Sequence, residues 1–519
     1  MNIRTLIISS LFIVFSYYVF SQEEAPAGQE TDKVVARLDS YFEKAMEEWE
    51  IPGMAVGIVK NDNIVFTKGY GVRELGIPGK VDENTMFGIA SLTKAFTAAS
   101  MALLVEEGKI DWEDRVIDHL PYFQLYDPYV TNEMRIRDLL CHRTGLVTFS
   151  GDLLWDATTY SREEVIQRAR YLKPVYGFRS HYGYSNIMFL TAGEIVPVIT
   201  GKSWDDFVKE KFFDPLGMKN TNTTVKKHKD VSNLAVPHCR YEDRIIPIRY
   251  ISWDNIASAG GINSTVTDML QWIRMHLNNG TLDDEKYLDK SSLKELWSAQ
   301  TVKSITRTDE YLFPSKHFST YGLGWSLFDY HGRKVINHGG GLDGMVCHLA
   351  LVPEEDLGFI ILTNSSNYLP YVLMYKVIDE FLGVEGKDYS SIYLQGYKMS
   401  LEEEKKEREE AEKNRDKDSK PSLQLEKYAG TYGGELYGNA VVSVEDGKLK
   451  VQFLPAPDFY SFLNHWQYDT FTIRFEKFPS LPQGTVNFVI DAKGEVTEMK
   501  IDVPNPDFDF TELEFKRID

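Results

Sequence analysis

The sequence predicts an α+β chain: an antiparallel sheet flanked by helices, followed by a small all-β barrel-like domain. Three observations carry this. Alternating strand patterns occur early, at residues 54–59 and 64–67, and return late, at 334–337, 346–352 and 358–363. The stretch between, from about Ser91 to Leu277, carries helical patterns and loops, so early and late strands share one mostly antiparallel sheet with helices inserted between. A run of almost pure charge, SLEEEKKEREEAEKNRDKDS, then separates that texture from one of short strands and turns.

Taken in order, residues 1–22 read as a secretory signal peptide. Arg4 supplies the positive start, residues 5–20 an apolar core, and Ser21 a small residue ahead of a polar stretch. The run is short for a membrane span, and no other segment is long and apolar enough for one. GMAVGIVKNDNIVFTKGYGV folds as a hairpin around Asn61-Asp62. The boundaries expected are 23–385 for the mixed domain, 386–422 for a charged linker or helix, and 423–519 for the β domain. In the last, Asp446-Gly447 and Lys493-Gly494 punctuate alternating runs, as hairpin turns do. A small barrel or sandwich follows.

With 519 residues the chain exceeds one ordinary core. Its 77 acidic against 57 basic residues give a net charge of -20, which argues against a nucleic-acid partner, since phosphate binding needs a basic face. Three cysteines, Cys141, Cys239 and Cys347, make no disulfide framework and read as buried thiols. No metal-ligand spacing of the CxxC or HExxH kind occurs, so neither metal nor cofactor is expected.

Chemistry concentrates at FGIASLTKAF. From Ser91 to Glu107 the chain is apolar on nearly every face, the signature of a buried helix, and Gly108 ends it. Ser91 falls at its start, and Lys94, one turn on, is close enough to exchange a proton with the serine hydroxyl. Burial lowers a lysine's pKa, and a partly neutral lysine can act as general base for serine. The bare S-x-x-K pattern is common: Ser291-Ser292-Leu293-Lys294 repeats it among charged neighbours, where a solvated helix is expected. Two further elements share the domain. GYSNIMF offers the Tyr184 phenol and the Asn186 amide beside such a pair. VINHGGGLDG puts His338, Gly339, Gly340 and Gly341 after a strand, where glycines let a backbone edge approach a ligand.

The order and spacing of these three elements resemble the serine β-lactamase and penicillin-binding-protein superfamily, in its branch near class C β-lactamases, esterases and D-amino-acid peptidases. PGMAVGIVK, FTKGYGVREL, IRDLLCHRTGL, YGYSNIMFLTAGEIV, FFDPLGMKNTN, SAGGINSTVTDM and YGLGWSL extend the resemblance over roughly residues 35–385. The tail from LEKYAGTY resembles the lipocalin-like domain often appended to such enzymes. The resemblance implies a β-lactamase/transpeptidase-like fold with a cleft between a five-stranded antiparallel sheet and a helical region. It assigns Ser91 as acyl-accepting nucleophile, Lys94 as its base partner and Tyr184 as proton relay to the leaving group. Asn186 would position the substrate amide, His338 would stand where lysine is common, and the N–H groups of Ser91 and Gly341 would form an oxyanion hole.

Two departures bear on substrate. A mostly neutral histidine holds a substrate carboxylate less firmly than lysine does, and Gly339 lacks the hydroxyl often found there. H-x-G is commoner among esterases and peptidases of this superfamily than among efficient β-lactamases. The expectation is an exported, periplasmic or secreted serine hydrolase forming an acyl-enzyme on a small-molecule, ester or peptide substrate, peptides containing D-amino acids included. A β-lactamase and a non-catalytic penicillin- or peptide-binding protein are the alternatives, and homo-oligomerisation is left open.

Overall fold

The computed structural model describes residues 27–519; the expected signal peptide lies outside the described residues. One antiparallel sheet organises the first domain. From one edge its strands are Asn63–Gly71, Gly53–Lys60, Leu357–Thr363, Met345–Val352, Arg333–Leu342, Ser326–Tyr330, Ser319–Tyr321 and Thr301–Lys303. Early and late strands are neighbours, with Val56 opposite Ile361. The hairpin turns on Asn61 and Asp62, both at positive φ (50° and 61°), as a twist-matching tight turn requires. The sheet is wider than the five strands the family resemblance implies. Five long strands form its body, and three short ones extend it beyond Arg333–Leu342.

Central strands are buried on both faces, which explains their near-continuous apolar sequence. Met54, Val56, Ile58, Phe359 and Ile361 meet the helices Ala27–Glu48 and Leu369–Leu382. Ala55, Leu349, Leu351, Ile360 and Leu362 face the helix Val266–Leu277 and the helical region. That helix lies so close that a Cβ on Gly57 would stand 2.4 Å from Val266 Cγ1. The helical region is built around Thr93–Glu106, whose residues from Thr93 to Ala102 are all buried. Asn186–Thr200 and Ala257–Gly260 pack against it.

The charged segment is half docked and half solvated. Tyr389–Asn414 is one helix. Its first turns pack on the outer helices, where Tyr397 stacks on Trp49 at 5.9 Å, while the glutamate- and lysine-rich turns stand in solvent. Beyond it, eight antiparallel strands from Gly430–Gly434 to Phe515–Arg517 close into a barrel. One of its hairpins turns on Asp446-Gly447, both at positive φ (49° and 72°). The barrel is seated on the helical region. The amide of Thr159 donates to the Pro455 carbonyl at 2.8 Å, and the Tyr160 hydroxyl donates to the Tyr437 carbonyl at 2.6 Å. Buried apolar residues of the two domains form one continuous cluster.

Candidate active site

Ser91 does not cap the buried helix. It lies in a 3-10 turn, Ala90–Leu92, immediately before Thr93–Glu106, with Ala90 at φ 44°. The turn lifts Ser91 partly out of the core, whereas Lys94, one turn on, is fully buried. Three atoms surround the lysine Nζ: Asn186 Oδ1 at 2.7 Å, the Ala259 carbonyl at 2.9 Å and Ser91 Oγ at 3.0 Å. The first two can only accept hydrogen bonds. They take both N–H groups of a neutral amine and leave its lone pair facing the serine hydroxyl. Burial drives Lys94 from 10.5 down to about 7, opposed by the charge of Asp152.

Asn186 has both ends of its amide engaged. Its Nδ2 donates to Asp152 Oδ2 at 2.7 Å, which fixes Oδ1 towards Lys94. Asp152 is buried, accepts the Trp155 indole N–H at 2.9 Å on its other oxygen, and is raised to about 7 by burial. Tyr184 stands over the pair, with Lys94 Nζ 4.7 Å from its ring centroid. Burial holds its phenol well above 10, against a smaller opposite pull from the Ser91 hydroxyl. At neutral pH the phenol therefore keeps its proton and can donate it. The group whose pKa falls into the working range of a base is Lys94.

The third element passes directly beside Ser91. The strand Arg333–Leu342 is paired on one side only as far as Asn337, so residues 338–342 present an open edge there. A Cβ on Gly340 would stand 2.4 Å from the Ile89 carbonyl and 3.2 Å from Ser91 N, which only glycine avoids. Gly341, the next residue along that edge, is exposed with open space around its Cα. Gly339 lies against His348. His338 is turned inward. Its Nδ1 donates to the Gly339 carbonyl at 2.6 Å, so Nε2 is the acceptor of the Tyr321 hydroxyl at 2.7 Å. Burial pushes this imidazole down to about 3, and the nearby Lys94 charge adds to the effect. It is neutral, with both nitrogens occupied by the protein.

Four of the predicted side chains, Ser91, Lys94, Tyr184 and Asn186, thus meet around one atom, and the glycine edge runs past them. The decoy serine, Ser291, is exposed on the helix Lys290–Leu296. Sequence reasoning missed Asp152, Tyr321 and His142. His142 stacks on Tyr184 at 4.1 Å and accepts the Ser185 amide N–H at 3.0 Å. Its only available signal was its place in IRDLLCHRTGL. A pocket opens beside the serine turn between Gly260–Gly261 and Leu342–Asp343, also lined by Tyr250, Trp253 and Asp254. Its Asp343 is raised to about 6 by burial, with Ser480 of the barrel donating to it at 2.7 Å. Asp156 and Asp507 lie near enough to interact with it, both raised by burial. Among the described residues no group of three His, Cys, Asp or Glu side chains could hold a metal ion, and no helix is long and apolar enough to cross a membrane.

Sheet, helical region and serine–lysine cluster together define the class of beta-lactamase-like proteins. The chain belongs to the beta-lactamase family, whose model matches residues 38–377. Residues 414–517 match a domain of unknown function (DUF3471). Unguisins hydrolase ungD' of Aspergillus campestris is 31% identical over 66% of this chain, which spans 64% of that relative's length. Unguisins hydrolase ungD of Aspergillus violaceofuscus is 28% identical over 81% of this chain and 80% of its own. The octameric penicillin-binding protein homologue from Pyrococcus abyssi shares the fold of both domains, with a TM-score of 0.62 at 20% identity over 93% of this chain and all of that one.

Proposed function

We propose that this protein hydrolyses a peptide or ester through an acyl-enzyme on Ser91. The observation that carries the reading is the hydrogen-bond arithmetic at Lys94: two obligatory acceptors and one serine hydroxyl around a desolvated amine. Neutral Lys94 takes the Ser91 proton as Oγ attacks the carbonyl carbon. The N–H groups of Ser91 and Gly341 stabilise the oxyanion. Tyr184 passes a proton to the leaving amine or alcohol, and water then repeats the sequence to release the acyl group.

Within this class the substrate is a peptide, one with D-amino acids included, or an ester, in preference to a β-lactam. A β-lactam carries a carboxylate. The histidine in line to receive it is neutral and bonded to Tyr321, so it offers that carboxylate no positive charge. Two relatives bearing the name of unguisins hydrolases support a hydrolase reading. The leader-like residues 1–22 support action outside the cytoplasm.

The test is hydrolysis of a p-nitrophenyl ester by the wild type, Ser91→Ala and Ser291→Ala, followed by D-aminoacyl p-nitroanilides and a chromogenic cephalosporin. Activity abolished in Ser91→Ala alone is expected, with the cephalosporin the poorest substrate. Turnover surviving Ser91→Ala sinks the site, and a cephalosporin turned over faster than every amide and ester sinks the substrate class.

A further inference from the structure

The barrel reaches into the first domain at one point that leads straight to the catalytic lysine. Glu512, at the end of a short turn between the last two strands, grips the chain at Ser150 and Gly151. One carboxylate oxygen accepts the Ser150 hydroxyl and the other accepts the Gly151 amide N–H at 2.8 Å. Ser150 is buried, and Gly151 sits at φ 79°, where a Cβ would stand 2.6 Å from Leu172 Cδ1. The turn is therefore tightly defined, and its next residue is Asp152.

We propose, on the footing of the acyl-enzyme reading, that the barrel is a positioning part of the catalytic centre: Glu512 fixes the 150–151 turn, so that Asp152 holds the Asn186 amide in the orientation that keeps Lys94 against Ser91. Apart from the peptide link between Gly151 and Asp152, every link is a hydrogen bond. Asn186 Nδ2 donates to Asp152 at 2.7 Å, Lys94 donates to Asn186 Oδ1 at 2.7 Å, and Lys94 meets Ser91 at 3.0 Å. Without the grip the turn relaxes, and the amide is free to rotate its NH₂ towards Lys94, which removes one of the acceptors that aim the lysine lone pair. The carboxylate suits the task, because both of its partners are donors and no neutral isostere accepts from both. Neither Glu512 nor Asp152 touches the substrate in this scheme, so both are positioning residues. The exposed Lys173–Glu514 pair, across the same interface, leads to no catalytic group.

The experiment uses the full chain and p-nitrophenyl acetate as probe. Glu512→Ala is expected to lower kcat on the order of 10- to 100-fold, the loss typical of a misplaced catalytic group, with KM within about twofold of wild type. Glu512→Gln, which can accept only one of the two bonds, falls between. Lys173→Ala, on the same interface, keeps the wild-type kcat. Because Glu512 and Asp152 act through one chain of bonds, Glu512→Ala/Asp152→Asn is no slower than the slower single variant. Melting curves identify the folded variants, and where Glu512→Ala does not fold, Glu512→Gln is read by the same criteria. A folded Glu512 variant with wild-type kcat, or losses that multiply in the double variant, overturns the inference alone while Ser91 is still acylated in the wild type. A wild type that is not acylated at Ser91 overturns the proposed function, and this inference with it.

Discussion

Lys94→Met exchanges a buried amine for a thioether of similar length, and its effect on stability is expected to depend strongly on pH. In the native protein the lysine pKa falls from 10.5 to about 7 because the amine is fully buried. At about 1.4 kcal/mol per pH unit, that difference is worth about 5 kcal/mol. The sign follows from proton binding. Between pH 7 and 10.5 the unfolded chain holds a proton on Lys94 that the native chain has lost, so wild-type stability rises with pH across that window. Asp152 adds in the same direction. It is raised by burial and held down by Lys94, so removing the cation raises it further and makes the variant lose stability as pH rises through neutrality. The absolute difference at pH 7 also includes the stranded Asn186 and Ala259 acceptors, about 1–3 kcal/mol each. The change in that difference with pH does not contain those costs. Urea unfolding of both proteins at pH 7 and pH 10, followed by tryptophan fluorescence, should show the gap moving towards wild type by roughly 3–4 kcal/mol. A gap that stays constant between those pH values would refute a native lysine near neutrality, and with it the choice of Lys94 as base.

The same lysine sets the rate profile: acylation of Ser91 should rise with pH through about 7 and then level, measured as the p-nitrophenol burst between pH 5 and 9. A profile rising only above pH 9 would point to another base. Gly340→Ala places a methyl group 2.4 Å from the Ile89 carbonyl, a backbone atom that cannot swing aside. It should lower stability by about 1–3 kcal/mol and acylation by at least about tenfold, seen in melting and burst measurements. Tyr321→Phe removes the hydroxyl donating to His338 Nε2, costs about 1 kcal/mol and moves the imidazole pKa upward by NMR titration, while turnover of an uncharged ester stays within about threefold. A large loss with that ester would make His338 part of the catalytic path.

The pair at 91 and 94 was legible because one local spacing and one buried helix specify it, and the apolar run around Lys94 says in sequence that its charge is unwelcome. The charged neighbours of Ser291 said the opposite. Tyr184 and Asn186 were legible only by resemblance, since nothing in GYSNIMF by itself points to residues 91 and 94. Asp152 sits in SGDLLWD, a loop with no periodicity to mark it as buried. Glu512 lies 361 residues from the amide it binds, on a strand texture that predicts a barrel and nothing about what the barrel touches. The width of the sheet was missed for a related reason. Thr301–Lys303 and Ser319–Tyr321 are three residues each, too short for alternation to show, and they are strands only because Ser326–Tyr330 offers an edge to Ser319–Tyr321, which in turn offers one to Thr301–Lys303.

What separates the legible from the illegible residues is the range over which their energies are decided. A neutral lysine among apolar side chains could be satisfied in many ways, most of which aim its lone pair away from the serine. The fold removes that freedom by supplying two acceptors from different segments, Ala259 from a short helix and Asn186 from the start of a long one. Asn186 is ambiguous by nature, since a flipped amide offers a donor where an acceptor is needed. Only a carboxylate on its far side fixes the choice, and burying that carboxylate is itself unfavourable, as its rise to about 7 records. Each polar group thus requires the next one outward to be held in place, until the chain of requirements reaches Glu512, which is less buried than Asp152 although burial still raises its carboxyl. Appending a barrel at this edge of the helical region supplies that outermost group on a rigid frame.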